Sequence, residues 1–142
     1  MMHSLDTSGR LWRSVLAIIA GALVGALLSV ATDFALHASG IAPALGQRFS
    51  NPLLLLATTY RTLYGILGSY LCARLAPILP MRHSIILGWL GLAANLAGAI
   101  ATWNAGPAFG PHWYPVALVL LALPTAWLGA RIFIAQQCRA RA

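Results

Sequence analysis

Residues 103–115 read WNAGPAFGPHWYP. Three prolines, two glycines and three Trp or Tyr rings crowd into this stretch, and no charge interrupts it. The absence of charge extends outward on both sides. From residue 83 to residue 130 there is no Asp, Glu, Lys or Arg. That interval is long enough for two membrane spans of about 20 residues and a connector. The quoted stretch is then the connector. Its prolines and glycines break helices where a bilayer no longer forbids open backbone. Trp103, Trp113 and Tyr114 suit the aromatic belt at the level of lipid headgroups.

The composition agrees. The 142 residues are 60% hydrophobic and 8% charged, whereas a soluble domain carries about 25% charged residues. Periodicity and punctuation predict an all-α integral membrane protein, a single transmembrane domain over residues 1–142. Its four helices would run over about 11–36, 52–76, 84–103 and 114–135. Pro52 and Pro115 fall where a first helical turn accepts proline, and Pro77 and Pro80 are expected to stop the second helix. Pro124 lies inside the fourth helix, where it removes a donor and frees the Leu120 carbonyl. The first uncharged run, residues 14–32, exceeds the 7–15 residues of a signal-peptide core and reads as a retained helix.

Nine arginines, no lysine and two aspartates give a formal charge of +7. The arginines sit at segment ends with no polar domain between them, which argues against a nucleic-acid partner. With the N-terminus in the cytoplasm, Arg10, Arg13, Arg74, Arg82, Arg131, Arg139 and Arg141 all lie at cytoplasmic ends. The positive-inside rule thus predicts both termini in the cytoplasm of a bacterial inner membrane. Anionic headgroups on that face become expected partners. Cys72 and Cys138 fall on the same reducing side, so no disulfide is expected.

Helices in lipid associate through small residues and polar links. Thr58, Arg61, Gly65, Gly68 and Cys72 in the second helix are spaced by threes and fours, as are Gly88, Gly91, Asn95, Gly98 and Thr102 in the third. These two faces are expected to meet. In the first helix Ala17, Gly21, Gly25, Ser29, Asp33 and His37 recur every four residues. Such a row drifts about 40° per step and suits an angled crossing within the chain. Ser14, Gly21 and Thr32 recur 70 residues later as Ser84, Gly91 and Thr102, a faint sign of two related hairpins.

Two charges fall inside spans, Asp33 and Arg61. An unpaired charge at mid-bilayer costs about 2.5–3.5 kcal/mol on insertion scales, so a partner is expected. Helix rise puts Arg61 roughly 13 Å and Asp33 roughly 6–9 Å below their helix ends. Side chains lean toward their own helix N-terminus, so the two lean toward each other. Asn95 lies at a similar depth. A buried polar cluster of Asp33, Arg61 and Asn95 is predicted, with His37, Thr58, Tyr60 and Tyr64 around it.

No catalytic motif, metal set or cofactor cradle is recognisable, and an enzyme is not expected. The stretches YRTLYGILGSYLCARLAP (60–77), PMRHSIILGWLG (80–91) and ATWNAGPAFGPHWYP (101–115) resemble small uncharacterised four-helix bacterial inner-membrane proteins. The resemblance implies the same bundle and location and carries no assigned activity. The expected role is an accessory or scaffold membrane protein, alone or with a copy or partner membrane protein. The alternative is a small-solute or ion transporter or channel working as an oligomer.

Overall fold

The computed structural model describes residues 2–43, 47–106 and 110–141, with side chains placed from residue 9 onward. Residues 107–109 of the proline-rich connector lie outside the described residues. The described chain is helical: α1 (Met2–Ala38), α2 (Asn51–Leu75), α3 (Pro80–Thr102) and α4 (Trp113–Ala140). Segments Gly9–Ala38, Pro80–Thr102 and Trp113–Ala140 are each long and apolar enough to cross a membrane. α2 carries Arg61 and runs of Thr and Tyr, and it takes the most sheltered place, packed between α1 and α4.

Several helix ends differ from expectation. α1 begins at Met2 rather than near residue 11, and α4 runs to Ala140 rather than 135. Polar end residues do not stop a helix that leaves the apolar region into water. Pro80 does not end the second helix but opens the third, occupying its first turn. A proline there has no N–H to lose. The turn is made by Leu79, whose φ of 47° is left-handed. Proline disfavours the right-handed helical region in the residue before it, so Leu79 breaks the chain between α2 and α3. Pro124 lies within α4, whose helical run continues through it.

The helices alternate in direction, so α1 and α3 run one way and α2 and α4 the other. Pairs of contacts fix this: Gly21 meets Gly68 and Asp33 meets Arg61, Gly65 meets Thr125 and Tyr70 meets Gln136, and Gly88 meets Ala126 and Asn95 meets Leu118. α4 lies between α2 and α3, and α1 packs along α2. The glycine seams of α2 and α3, expected to meet, do not: their packed members face other helices instead. Gly65 faces Thr125 of α4, with the Thr125 Oγ1 atom 3.3 Å from where a Cβ would stand. Gly68 faces the Gly21 backbone of α1, and Gly88 faces Ala122, Leu123 and Ala126 of α4. Gly25 lies against the Tyr64 carbonyl. Among the described residues, a Cβ on Gly91 or Gly98 would meet no heavy atom of another helix within 4 Å. The reason is α4, whose own small residues Ala122, Ala126, Gly129 and Ala130 let it approach both α2 and α3. Gly129 lies directly on α2, against the Ile66 carbonyl and the Tyr70 amide.

α2 and α3 still touch near their short loop, where Ser84 Oγ donates to the Ser69 carbonyl at 2.9 Å. Ser84 is completely buried, beside buried Cys72. α1 and α3 meet through Leu87, which reaches Gly21. Further along they leave a cleft between them, floored by α2 and α4.

Candidate functional site: an ion pair at the edge of a cleft

Asp33 and Arg61 sit on antiparallel helices, and the helix crossing decides their meeting. Gly21 and Gly68 carry no side chain, so the backbones of α1 and α2 approach until a Cβ on Gly21 would lie 2.5 Å from the Gly68 carbonyl oxygen. That close crossing leaves Asp33 facing α2 about three turns later. Arg61 Nη2 donates to Asp33 Oδ2 at 2.6 Å. Tyr60 Oη donates to the other carboxylate oxygen, Oδ1. Both oxygens of Asp33 are therefore engaged from α2, each by a charge-assisted bond that is stronger than a neutral one. Tyr114, at the start of α4, stands near both members.

The surroundings divide the remaining candidates. Tyr64 shares a hydrogen bond of 2.9 Å with Thr32 Oγ1, and its ring lies 5.8 Å from that of Tyr60. His37 holds the Asp33 carbonyl through Nδ1 at 2.8 Å and sets its ring edge on Phe49. A carbonyl accepts, so Nδ1 carries the hydrogen and buried Nε2 is left as an acceptor without a partner among the described residues. Thr58 takes no part around the pair: its hydroxyl bonds back to the Leu54 carbonyl of its own helix. Asn95 likewise makes no hydrogen bond to Asp33 or Arg61. Its Nδ2 donates to the Leu118 carbonyl of α4 at 3.0 Å, because α4 and not α2 is the neighbour of α3 at this level.

Asn95 nonetheless shares a space with the pair. A cavity of about 610 Å³ occupies the cleft and is lined by Asp33, Arg61 and Asn95 at its polar end. Its long walls come from Gly25, Ala26 and Ser29 of α1 and from Leu90, Gly91 and Ala94 of α3. Gly91 has its open side here. The Asp33 and Arg61 side chains retain 33% and 35% of their exposure, so the pair is reachable and not sealed in the core. Arg61 Nε, by contrast, is buried with no hydrogen-bond partner among the described residues.

Tyr60 was foreseen only as a neighbour, yet it is a direct partner of Asp33. Its position beside Arg61, on the face toward α1, was the available signal. Tyr114 and Gly129 were missed as site and packing residues. The spacing of Ala122, Ala126 and Ala130, with Gly129 between them, was a legible small-residue face. His112 stacks on Trp103 at 4.3 Å between centroids and bonds its carbonyl, tying α3 to α4 beyond the connector. His37 is placed elsewhere, against Asp33 and Phe49, and the described residues contain no group of three or more metal-ligating side chains.

Compared with known proteins, the chain matches no protein-family model, no curated protein and no solved structure.

Proposed function

We propose that this chain is a four-span accessory protein of a bacterial inner membrane, both termini cytoplasmic, that holds a membrane-borne molecule in the cleft between α1 and α3. The carrying observation is the cavity of about 610 Å³ that ends on a reachable ion pair. Its volume lies within the roughly 300–1,000 Å³ of small-molecule sites. Walls that are mostly apolar, with the hydroxyls of Ser29, Thr62 and Thr125 among them, and a charged end describe a receptor for an amphipath.

The four-span reading is supported by the place of α2. A helix with a cation and many hydroxyls is tolerated at membrane depth when protein surrounds it, and α2 packs between α1 and α4. Holding, rather than catalysis, is supported by the commitment of Asp33. Both its oxygens are engaged, which leaves it poorly placed as a general base.

Purification in native-membrane discs, followed by mass spectrometry of extracted small molecules, tests the reading. Wild-type protein should carry one enriched species, and Gly91→Leu, which projects into the cleft, should lose it. Identical extracts from both proteins would reject the cleft as a binding place.

Transport by an oligomer is a second reading, favoured by the one-third exposure of the pair. It requires water to reach the cleft. A cysteine replacing Ser29 should then react with a membrane-impermeant thiol reagent added outside; no reaction in intact cells would oppose transport.

A further inference from the structure

The polar end of the cleft has an unusual balance. It holds one cation and one anion in contact, so its net formal charge is zero. Yet the donors outnumber the acceptors. Arg61 has five N–H donors, of which Nε is buried, and among the described residues it has one hydrogen-bonded acceptor, Asp33, with the Tyr60 hydroxyl alongside. Asn95 spends its amide on Leu118, and its Oδ1 has no partner among the described residues. A fitting ligand therefore brings acceptor oxygens for Arg61 and a donor for Asn95 Oδ1 and for the lone-pair sites that Tyr60 and Arg61 leave open on Asp33. It also brings no net charge, since an uncompensated ion beside a neutral pair in a low-dielectric site is penalised.

Depth narrows the ligand further. Asp33 lies five residues before the end of α1 at Ala38, roughly 7–8 Å along the axis. The headgroup zones account for roughly 5–8 Å on each side of a 30 Å hydrocarbon core. Asp33 thus stands near the boundary where phosphate groups meet acyl chains, and the Arg61 side chain, anchored deeper on α2, reaches up to it. The apolar wall of Gly25, Ala26, Leu90 and Ala94 continues from it toward mid-membrane. A spanning helix, about 10 Å wide and 30 Å long, occupies on the order of 2,400 Å³. The cavity holds about a quarter of that and suits a flexible chain.

Resting on the reading that the cleft holds a membrane-borne molecule, we propose that its occupant is a zwitterionic phospholipid bearing a primary ammonium, of the phosphatidylethanolamine class. The phosphate accepts from the spare donors of Arg61. The ammonium donates toward Asp33 and Asn95 Oδ1. One acyl chain lies along the small-residue walls of α1 and α3.

Native mass spectrometry of detergent-purified protein, titrated with dioleoyl phosphatidylethanolamine or dioleoyl phosphatidylglycerol, tests the assignment. The ethanolamine lipid should be retained at one per chain and about tenfold more tightly, the effect of one charge-assisted hydrogen bond. The double variant Arg61→Gln with Asp33→Asn should bind both lipids alike. Gly91→Leu should retain neither, and Ala94→Leu provides a second way of filling the cleft should the first fail to give folded protein by circular dichroism. Equal or tighter retention of the glycerol lipid by the wild type overturns the headgroup assignment while leaving the cleft occupied. Unchanged retention in both cleft-filling variants overturns the cleft itself. Competition by water-soluble glycerophosphoethanolamine at equal concentration would overturn the requirement for an acyl chain.

Discussion

At the scale of single residues, Asp33 is held by two groups that do different work. Arg61 neutralises it, while Tyr60 orients it. Removing Arg61 alone strands a carboxylate in the membrane. Arg61→Ala should therefore destabilise the fold by about 2 kcal/mol, less than the 3–5 kcal/mol of a fully buried pair because a third of each side chain remains exposed. Combining it with Asp33→Asn should restore part of that loss. Thermal or denaturant unfolding in detergent, arranged as a double-mutant cycle, measures the coupling; additive losses would show the pair to be uncoupled. Tyr60→Phe should cost about 1.5 kcal/mol, as the loss of a hydrogen bond to a charged group, whereas Tyr64→Phe gives up only a neutral bond to Thr32 and should cost less. The pair was legible in the sequence because depth and side-chain lean are both set by helix geometry. The place of Asn95 was not, since depth along an axis says nothing about which neighbour stands opposite. Thr58 was misjudged for a simpler reason: a threonine hydroxyl in a helix finds its own preceding carbonyl first.

At the scale of helices, the glycines separate into two kinds. Gly21, Gly68 and Gly129 carry backbone against backbone, so a side chain there displaces a helix. Gly91 and Gly98 face open space. Leucine at Gly68 or Gly129 should lower the melting temperature sharply or prevent recovery of folded protein. Leucine at Gly98 should be tolerated within a few degrees. Size-exclusion profiles and thermal melts of the three variants check the contrast, and equal damage at all positions would contradict the packing. Spacing alone could not sort these residues. The regular rhythm in α3 looks like a packing seam, but α4 occupies the flank where α2 was expected. The small residues of α4 that permit this lie among Leu and Val, where they attract less attention than glycine does. The internal echo meets the same limit: Gly21 is tightly packed and Gly91 open, while Ser14 is half-buried and bonds within α1 and Ser84 is buried against α2.

At the scale of the whole molecule, three apolar helices and one more polar helix form the bundle. Membrane character was legible in the long charge-free interval, because hydrocarbon excludes charge regardless of tertiary detail. Helix lengths were less legible, since α1 and α4 continue into segments whose polarity was read as an ending. The crossing of α2 can be tested directly. A reporter active only in the cytoplasm should work when fused after Arg141 or inserted between Pro77 and Leu79, and fail when inserted at residues 41–43. Activity at both loops would mean that α2 does not cross.

The order of the chain gives the Asp33–Arg61 contact a further meaning. Its members belong to successive helices, so the bond can form once the first hairpin has left the ribosome, before α3 and α4 exist. On the four-span reading proposed above, each ion then enters lipid already cancelled by the other, and the hydroxyl-rich second segment becomes acceptable to the insertion machinery through its predecessor. A lesion at either residue would consequently act during synthesis, lowering the yield of inserted protein before it alters the mature bundle.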